Sequence, residues 1–330
     1  MIGRREFITL LGGVAAAWPL AARAQQGERM RRIGILLGAS ENDRDEQANL
    51  GAFREELATL GWVEGSNLRI DLRFGVGDPE RLRNYAAELV GLAPDVIFAV
   101  GGAPTSALEQ HTQTIPIVFR GPDPVDAGLV RNNARPERNI TGFSVYGSLI
   151  AGKWLELLKE AAPHLARVAI IFNPELTLTS SRYLSPIEVA ATALGVPAVN
   201  TPVREAADIV RAIDAFAGEP NGGLLVLPPP PNISVRKTIL NLAEQHKLPE
   251  IYPSQADAAA GGLLAYAPDL VDLYRRAAGY VDRLLRGAKV SELPVQYPTK
   301  FDLLVNLRAA RAIGLSIPAS FLARADEVIE

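Results

Sequence analysis

Arg32-Ile33-Gly34-Ile35-Leu36-Leu37 is a brief run of β-branched and aliphatic residues, closed by the small-residue turn Gly38-Ala39-Ser40. This is the pattern of a strand buried on both faces. Downstream, Gln47 to Leu60 places Leu50, Phe53, Leu57 and Leu60 at spacings of 3, 4 and 3, the stripe of an amphipathic helix. Gly61 is expected as its C-cap. Asn67 to Phe74 then alternates, with Leu68, Ile70, Leu72 and Phe74 on one face of a second strand. Pro79 to Leu92 reads as a helix, Asp95 to Val100 as a strand, Ser106 to Thr114 as a short helix and Pro116 to Phe119 as a strand. Strands and helices in this alternation form βαβ units around a parallel sheet with both faces covered.

The pattern then restarts. Helices are expected at Ala151 to Ala161, Pro186 to Leu194, Glu205 to Phe216 and Arg236 to His246. Strands are expected at Arg167 to Phe172, Ala198 to Pro202, Gly223 to Leu227 and Glu250 to Tyr252. Two doubly wound sheets fit better than one, with the join near Asn139 to Ser148. The last third breaks the rhythm. Gly261 to Tyr266 reads as a strand, Asp269 to Arg286 as a long helix, Leu293 to Tyr297 as extended and Phe301 to Ile313 as helical. Too short for a third domain, these segments are expected to return to the first two. The fold class is therefore α/β, two doubly wound parallel-sheet lobes joined by a multi-strand hinge. Lobe 1 is expected over residues 30–142 plus about 265–292, and lobe 2 over 143–264 plus about 293–330. A cleft between hinged lobes is where a small ligand would sit.

The chain start reads as an export signal. Met1 to Arg5 is basic, Phe7 to Leu20 is apolar and small, and Ala22-Arg23-Ala24 offers a cleavage site before Gln25. The apolar run of about 14 residues, interrupted by Gly12 and Gly13, falls short of the roughly 20 that span a bilayer. Arg4-Arg5 followed by Glu6-Phe7-Ile8 looks like a twin-arginine (Tat) signal over residues 1–24, so a periplasmic location is expected. The remaining 306 or so residues suit two domains. With 34 Lys and Arg scattered against 37 Asp and Glu, the net charge of −3 gives no footprint for nucleic acid. The absence of cysteine excludes disulfides, thiolate metal sites and a cysteine nucleophile.

No catalytic motif emerges. The three histidines, His111, His164 and His246, have no metal-spaced partner, and His111 and His246 sit where a helix C-terminus favours them. There is no nucleophile elbow, phosphate-binding loop or complete dinucleotide fingerprint. No cofactor, metal or catalytic residue is expected, and the chain is read as a non-enzyme.

The loops after the strands are more informative, because in open α/β sheets they line the ligand crevice. Ser40 closes the first. Gly101-Gly102-Ala103-Pro104-Thr105-Ser106 follows the third strand, and Thr105 or Ser106 either caps a helix or helps present its N–H groups to a carboxylate. Arg120-Gly121-Pro122-Asp123 follows the fourth, where Asp123 either meets a ligand ammonium or forms a turn. Asn173-Pro174-Glu175 and the stiff run Leu227 to Asn232 hold the equivalent places in the second series. Tyr266 could stack on an apolar ligand, and Asp269 is expected to cap the long helix. Candidate ligand-binding residues are Ser40, Pro104, Thr105, Arg120, Asp123, Asn173 and Tyr266.

Taken in order, Arg4 to Ile8, Phe119 to Gly128, Asn139 to Gly142, His246 to Pro249, Gly261 to Asp269, Asp272 to Ala278, Leu293 to Phe301 and Arg324 to Glu327 resemble one family along essentially the whole chain. It is the ABC-transporter substrate-binding family that includes tryptophan- and tyrosine-binding members. The resemblance implies the type I periplasmic binding protein fold, with two lobes that close on a solute and deliver it to permease and ATPase subunits. Gly102-Ala103-Pro104-Thr105 departs from the Gly-Thr/Ser-Pro-Ala loop of such relatives, and Arg120 replaces a smaller residue and could hold a carboxylate bidentately. Glu175-Leu176-Thr177 is an unusual continuation of Asn173-Pro174. These departures weigh against an aromatic amino acid. The expectation is a monomeric importer component for a small amino acid-like or carboxylate solute. A sensor module for a membrane receptor and an exported α/β enzyme are the alternatives.

Overall fold

The computed structural model describes residues 30–125, 128–148, 150–174, 177–228 and 233–330. The signal expected at residues 1–24, Glu175, and residues 229–232 of the proline run lie outside the described residues.

The chain forms two compact units. Among the described residues the first comprises 30–121, 128–143 and 273–296, and the second 122–125, 144–272 and 297–330. The first is built on β1 (Arg31–Leu37), β2 (Leu68–Phe74), β3 (Val96–Val100), β4 (Ile117–Gly121) and β5 (Ile140–Ser144), in the order β2-β1-β3-β4-β5. β1 runs parallel to both β2 and β3, and β3 parallel to β4. Ile33, Ile35, Leu36 and Leu37 are fully buried, which is why so short and apolar a stretch settles at the sheet centre. Phe53 stacks on Phe98 at 4.8 Å, and the Tyr274 ring meets Phe98 edge-on at 5.4 Å. These contacts clamp helices Arg44–Thr59 and Leu270–Leu285 to β3. Gly142 takes a positive φ of 147° where β5 passes β4, and a Cβ there would lie 2.1 Å from the Phe119 carbonyl oxygen.

The second unit carries β6 (Arg167–Phe172), β7 (Ala198–Pro202), β8 (Gly222–Val226), β9 (Glu250–Tyr252), β10 (Leu264–Pro268), β11 (Phe301–Asn306) and β12 (Glu327–Ile329), in the order β12-β11-β10-β9-β8-β6-β7. β10 pairs antiparallel with β11. The run β7-β6-β8-β9-β10 repeats the winding β2-β1-β3-β4-β5, so the halves share a topology although the sequence shows no repeat. Trp154, on helix Ile150–Ala161, is buried in the largest core of this unit, and its Nε1 donates to the Tyr266 carbonyl at 2.8 Å.

Several expectations are corrected. Phe301 to Asn306 is a strand, because Asn306 Oδ1 accepts from Arg308 N at 3.0 Å and Ala309 N at 3.2 Å and so starts the helix only at Leu307. The helix expected from Ser106 spans Gly102–His111, because Gly101, at φ 110°, turns the chain directly out of β3. The helix expected from Pro186 spans Thr177–Leu194 and contains that proline. Leu60 occupies the C-cap assigned to Gly61, which follows at φ 95°. The strand expected from Gly261 to Tyr266 is β10, Leu264–Pro268. The expected lobe division before residue 265 also moves: β10 pairs with β9 and β11, so residues 265–272 belong to the second unit, while 293–296 belong to the first.

Candidate functional site

The winding of each sheet reverses once near its centre, and strand ends at such a reversal are where open α/β sheets hold ligands. In the first unit the reversal lies between β1 and β3. Gly38 N donates to Val100 O at 3.1 Å and Gly101 N to Arg120 O at 2.7 Å, so the loops after β1, β3 and β4 gather into one surface. The fit is close at Gly121, where a Cβ would stand 3.3 Å from the backbone of Gly101 and Gly102.

Pro104 and Thr105 are buried in the first turns of helix Gly102–His111. Thr105 does not cap that helix. Its hydroxyl donates to the Gly101 carbonyl at 2.8 Å, one turn back, and the cap residue is Gly101, with no side chain to offer. Ser40 is half-buried, and its hydroxyl accepts from Asn42 N at 3.3 Å.

Arg120 does not stand as an open carboxylate receptor within this unit. Its guanidinium pairs with Glu46 at 2.8 Å, both side chains being nearly buried, and it lies 5.3 Å from the centre of the Tyr274 ring. The Tyr274 hydroxyl donates to the same Glu46 carboxylate. Burial above all, opposed by Arg120 and reinforced by Glu46, holds this hydroxyl above its ordinary range, so it remains a donor. Glu46 is placed by Asp43, whose Oδ1 accepts from Asp45 N and Glu46 N at 3.1 Å and caps helix Arg44–Thr59. Sequence reasoning missed Glu46 and Tyr274. The signal for Glu46 was the Asp43 cap, which fixes a carboxylate in a first helical turn just after the β1 loop.

In the second unit the reversal lies between β6 and β8. Asn173, half-buried, stands at the carboxyl end of β6 beside it. Asp123 belongs to this unit and is 5% exposed. One carboxylate oxygen accepts from Val125 N at 2.9 Å, which makes the turn. The other accepts from Arg182 at 3.2 Å and from the Tyr297 hydroxyl. The turn reading and the charge-recognition reading of Asp123 thus coexist on its two oxygens. Arg182 and Tyr297 were missed, Arg182 because its helix was expected to begin only at Pro186. Tyr266 is half-buried, and its ring stacks on Phe301 at 5.4 Å and 25°. One face of the ring is therefore met by the chain itself. Asp269 does cap the long helix, accepting from Asp272 N at 3.0 Å, and it also holds Lys300 at 2.6 Å.

Two charge-bearing clusters therefore form, one in each unit. Arg120, Glu46 and Tyr274 form one on the first unit; Asp123, Arg182 and Tyr297 form the other on the second. Among the described residues no group of three or more His, Cys, Asp or Glu comes together in a way that could hold a metal.

This architecture is that of a type I periplasmic binding protein. The sequence profile of the ABC transporter substrate binding protein family matches residues 33–329, and the chain belongs to that family. It is 24% identical over 295 residues to a tyrosine-binding protein of Clostridioides difficile, covering 87% of this chain and 82% of that one. A conserved domain protein from Vibrio cholerae is similar in structure, with TM-score 0.78 and 26% identity over 91% of this chain and all of that one. An ABC domain from Streptococcus pneumonia in complex with L-Trp gives TM-score 0.78 at 22% identity, covering 91% and 99%.

Proposed function

We propose that the protein is the exported, periplasmic solute receptor of an ABC importer, with no chemistry of its own, and that its cargo is a small amino acid. It acts as a monomer, crosses the membrane by the Tat route, loses residues 1–24, closes its two units on the solute and passes it to a permease driven by an ATPase.

The observation that carries the cargo assignment is the cluster of Asp123, Arg182 and Tyr297. An amino acid presents an ammonium and a carboxylate a few ångströms apart. Asp123 is paired with Arg182 and Tyr297 in the structure, and an amino acid would exchange that pairing for its own, its ammonium going to the buried Asp123 carboxylate and its carboxylate to Arg182 and the Tyr297 hydroxyl. A solute with only one of those charges would leave part of the cluster unmatched, and unmatched buried polar groups are where discrimination is strongest. The names of the tyrosine-binding relative and of the structure holding L-Trp agree with an amino acid. The packing of Tyr266 against Phe301 favours a smaller side chain than theirs.

The test is a thermal-shift screen of the mature chain against amino acids, small carboxylates, sugars and nucleosides, followed by calorimetry on any hit. A ligand of the native state raises the melting temperature in a dose-dependent way. The expected result is a saturable shift with one small amino acid, recovered unchanged, and at least about a tenfold loss of affinity in Asp123→Asn, since a charge-assisted bond is worth roughly 1.5–3 kcal/mol. A saturable shift with a sugar or nucleoside and none with amino acids would overturn the cargo assignment, and turnover of the hit would overturn the receptor role.

A further inference from the structure

On the second unit, at the other end of its sheet from Asn173, lies a cavity of about 340 Å³. Its walls are helices Ile233–His246 and Leu307–Ile313, and its base is formed by Glu250 and the turn at Ala260-Gly261. Glu250 opens β9, so it marks the amino end of a strand whose carboxyl end points toward the loops described above.

The side chain of Glu250 is the anomaly. It is 3% exposed, one oxygen accepts from Leu263 N at 2.9 Å, and Oε2 has no hydrogen-bond partner. Buried carboxylates without a counter-charge are strongly disfavoured, and an orphaned buried oxygen calls for an occupant. The cavity's own cations do not serve. Arg236 is tied to the fully buried Asp257 by an ion pair. Lys237 is exposed on the same helix and exerts no resolved pull on Glu250. Among the described residues the one charged side chain acting on Glu250 is Glu244, a like charge across the cavity wall. Leu240, Ala309, Ala312 and Ile313 supply apolar surface beside this acidic floor.

We propose that this cavity is a second ligand site, separate from the solute site, and that it takes a compact organic cation: a primary ammonium on a short aliphatic body. The ammonium donates to Glu250 Oε2 with Glu244 flanking it, and the aliphatic part lies against Ala309, Ala312 and Ile313. Burial, opposed by the Leu263 amide and by Glu250's own amide and augmented by Glu244, pushes the empty Glu250 carboxyl up to about 8. Tyr252 and Asp257, the other titratable groups packed around it, are also pushed up by burial. Binding an ammonium therefore requires ionising Glu250, and affinity rises by up to about tenfold per pH unit below that value and levels off above it.

The probe is n-butylammonium chloride, with n-butanol as its neutral analogue and sodium chloride matching the ionic strength. Thermal shift and calorimetry on the mature full-length chain at pH 6 and pH 9 read the binding. The inference expects saturable binding of the amine, at least tenfold tighter at pH 9, and none by butanol. Glu250→Gln removes it. Ala312→Trp, on an exposed helix position, blocks the cavity without disturbing the core and also removes it, while neither variant changes affinity for the solute found in the screen above. Absence of saturable amine binding at pH 9, equal binding of butanol, or binding undiminished in Ala312→Trp would each overturn the proposal. Should Glu250→Gln fail to fold, Ala312→Trp alone decides.

Discussion

Glu250 and Asp257 keep their protons to higher pH than free carboxyls do. Burial is the main cause for both: it lifts Glu250 to about 8, and Asp257 to about 6 despite the opposing Arg236. In the unfolded chain these carboxyls would ionise near 4 to 4.5. The folded state keeps protons that the unfolded state has released, so the stability these two groups lend is full below about pH 4 and declines as pH rises. The decline runs to about 6 for Asp257 and to about 8 for Glu250. Asp71 has the opposite sign. The Arg32 hydrogen bond holds its carboxyl below the ordinary range, so its contribution is lost only in acid, below about pH 4. Urea denaturation of residues 25–330 should therefore give a midpoint that falls steadily from pH 5 to pH 8. In Glu250→Gln, which carries a permanently neutral group, the fall should stop near pH 6. A wild-type midpoint that is level or rising across this range would contradict the assignment of both protons.

At the scale of elements, one side chain separates what was legible from what was not. Asn306 is 4% exposed, caps the helix Leu307–Ile313 through Oδ1, and donates from Nδ2 to the Ala258 carbonyl at 3.2 Å. Asn306→Ala should lose the cap and leave that carbonyl short of a donor, costing about 2 kcal/mol in urea denaturation. Asn306→Asp should recover the cap and only part of the stability. The same residue explains why Phe301 to Ile313 reads as one helix. Leu303, Leu304, Leu307 and Ala310 fall at helical spacing across a strand and a helix that share the core, and the periodicity hides the cap between them. The strands β1, β3 and β6 were legible because each is short, apolar and buried throughout or nearly so. β5 was not, because Ile140-Thr141-Gly142-Phe143-Ser144 carries a glycine and two hydroxyls in place of an apolar run. The candidate site was legible in its loops and illegible in its partners. Asp123 and Arg120 sit at strand ends that the pattern locates, whereas Arg182, Tyr297, Glu46 and Tyr274 reach them over separations of 59, 174, 74 and, from Tyr274 to Glu46, 228 residues. No local periodicity encodes such distances.

For the whole molecule, function depends on how the two units respond to solute. The chain passes between them at 143–144, 272–273 and 296–297, besides the short segment from 122 that brings Asp123 to the second unit. Asp123 is thus two residues past Gly121, the last residue of β4, yet it is packed with Arg182 and Tyr297 within the second unit. A solute seated on Asp123 would therefore pull on a segment continuous with the strand that carries Arg120. A ligand shifts a conformational equilibrium only by its differential affinity for the two states, so the proposed closure has a strict signature. Small-angle scattering of residues 25–330 should show a radius of gyration that falls on addition of the solute found in the screen, toward the value of about 19 Å expected for a compact chain of this length. The midpoint should equal the calorimetric Kd. Asp123→Asn should need at least tenfold more solute to reach the same end state, because it weakens binding without altering the closed form. An unchanged radius at saturating solute would keep the binding role and remove closure from the mechanism.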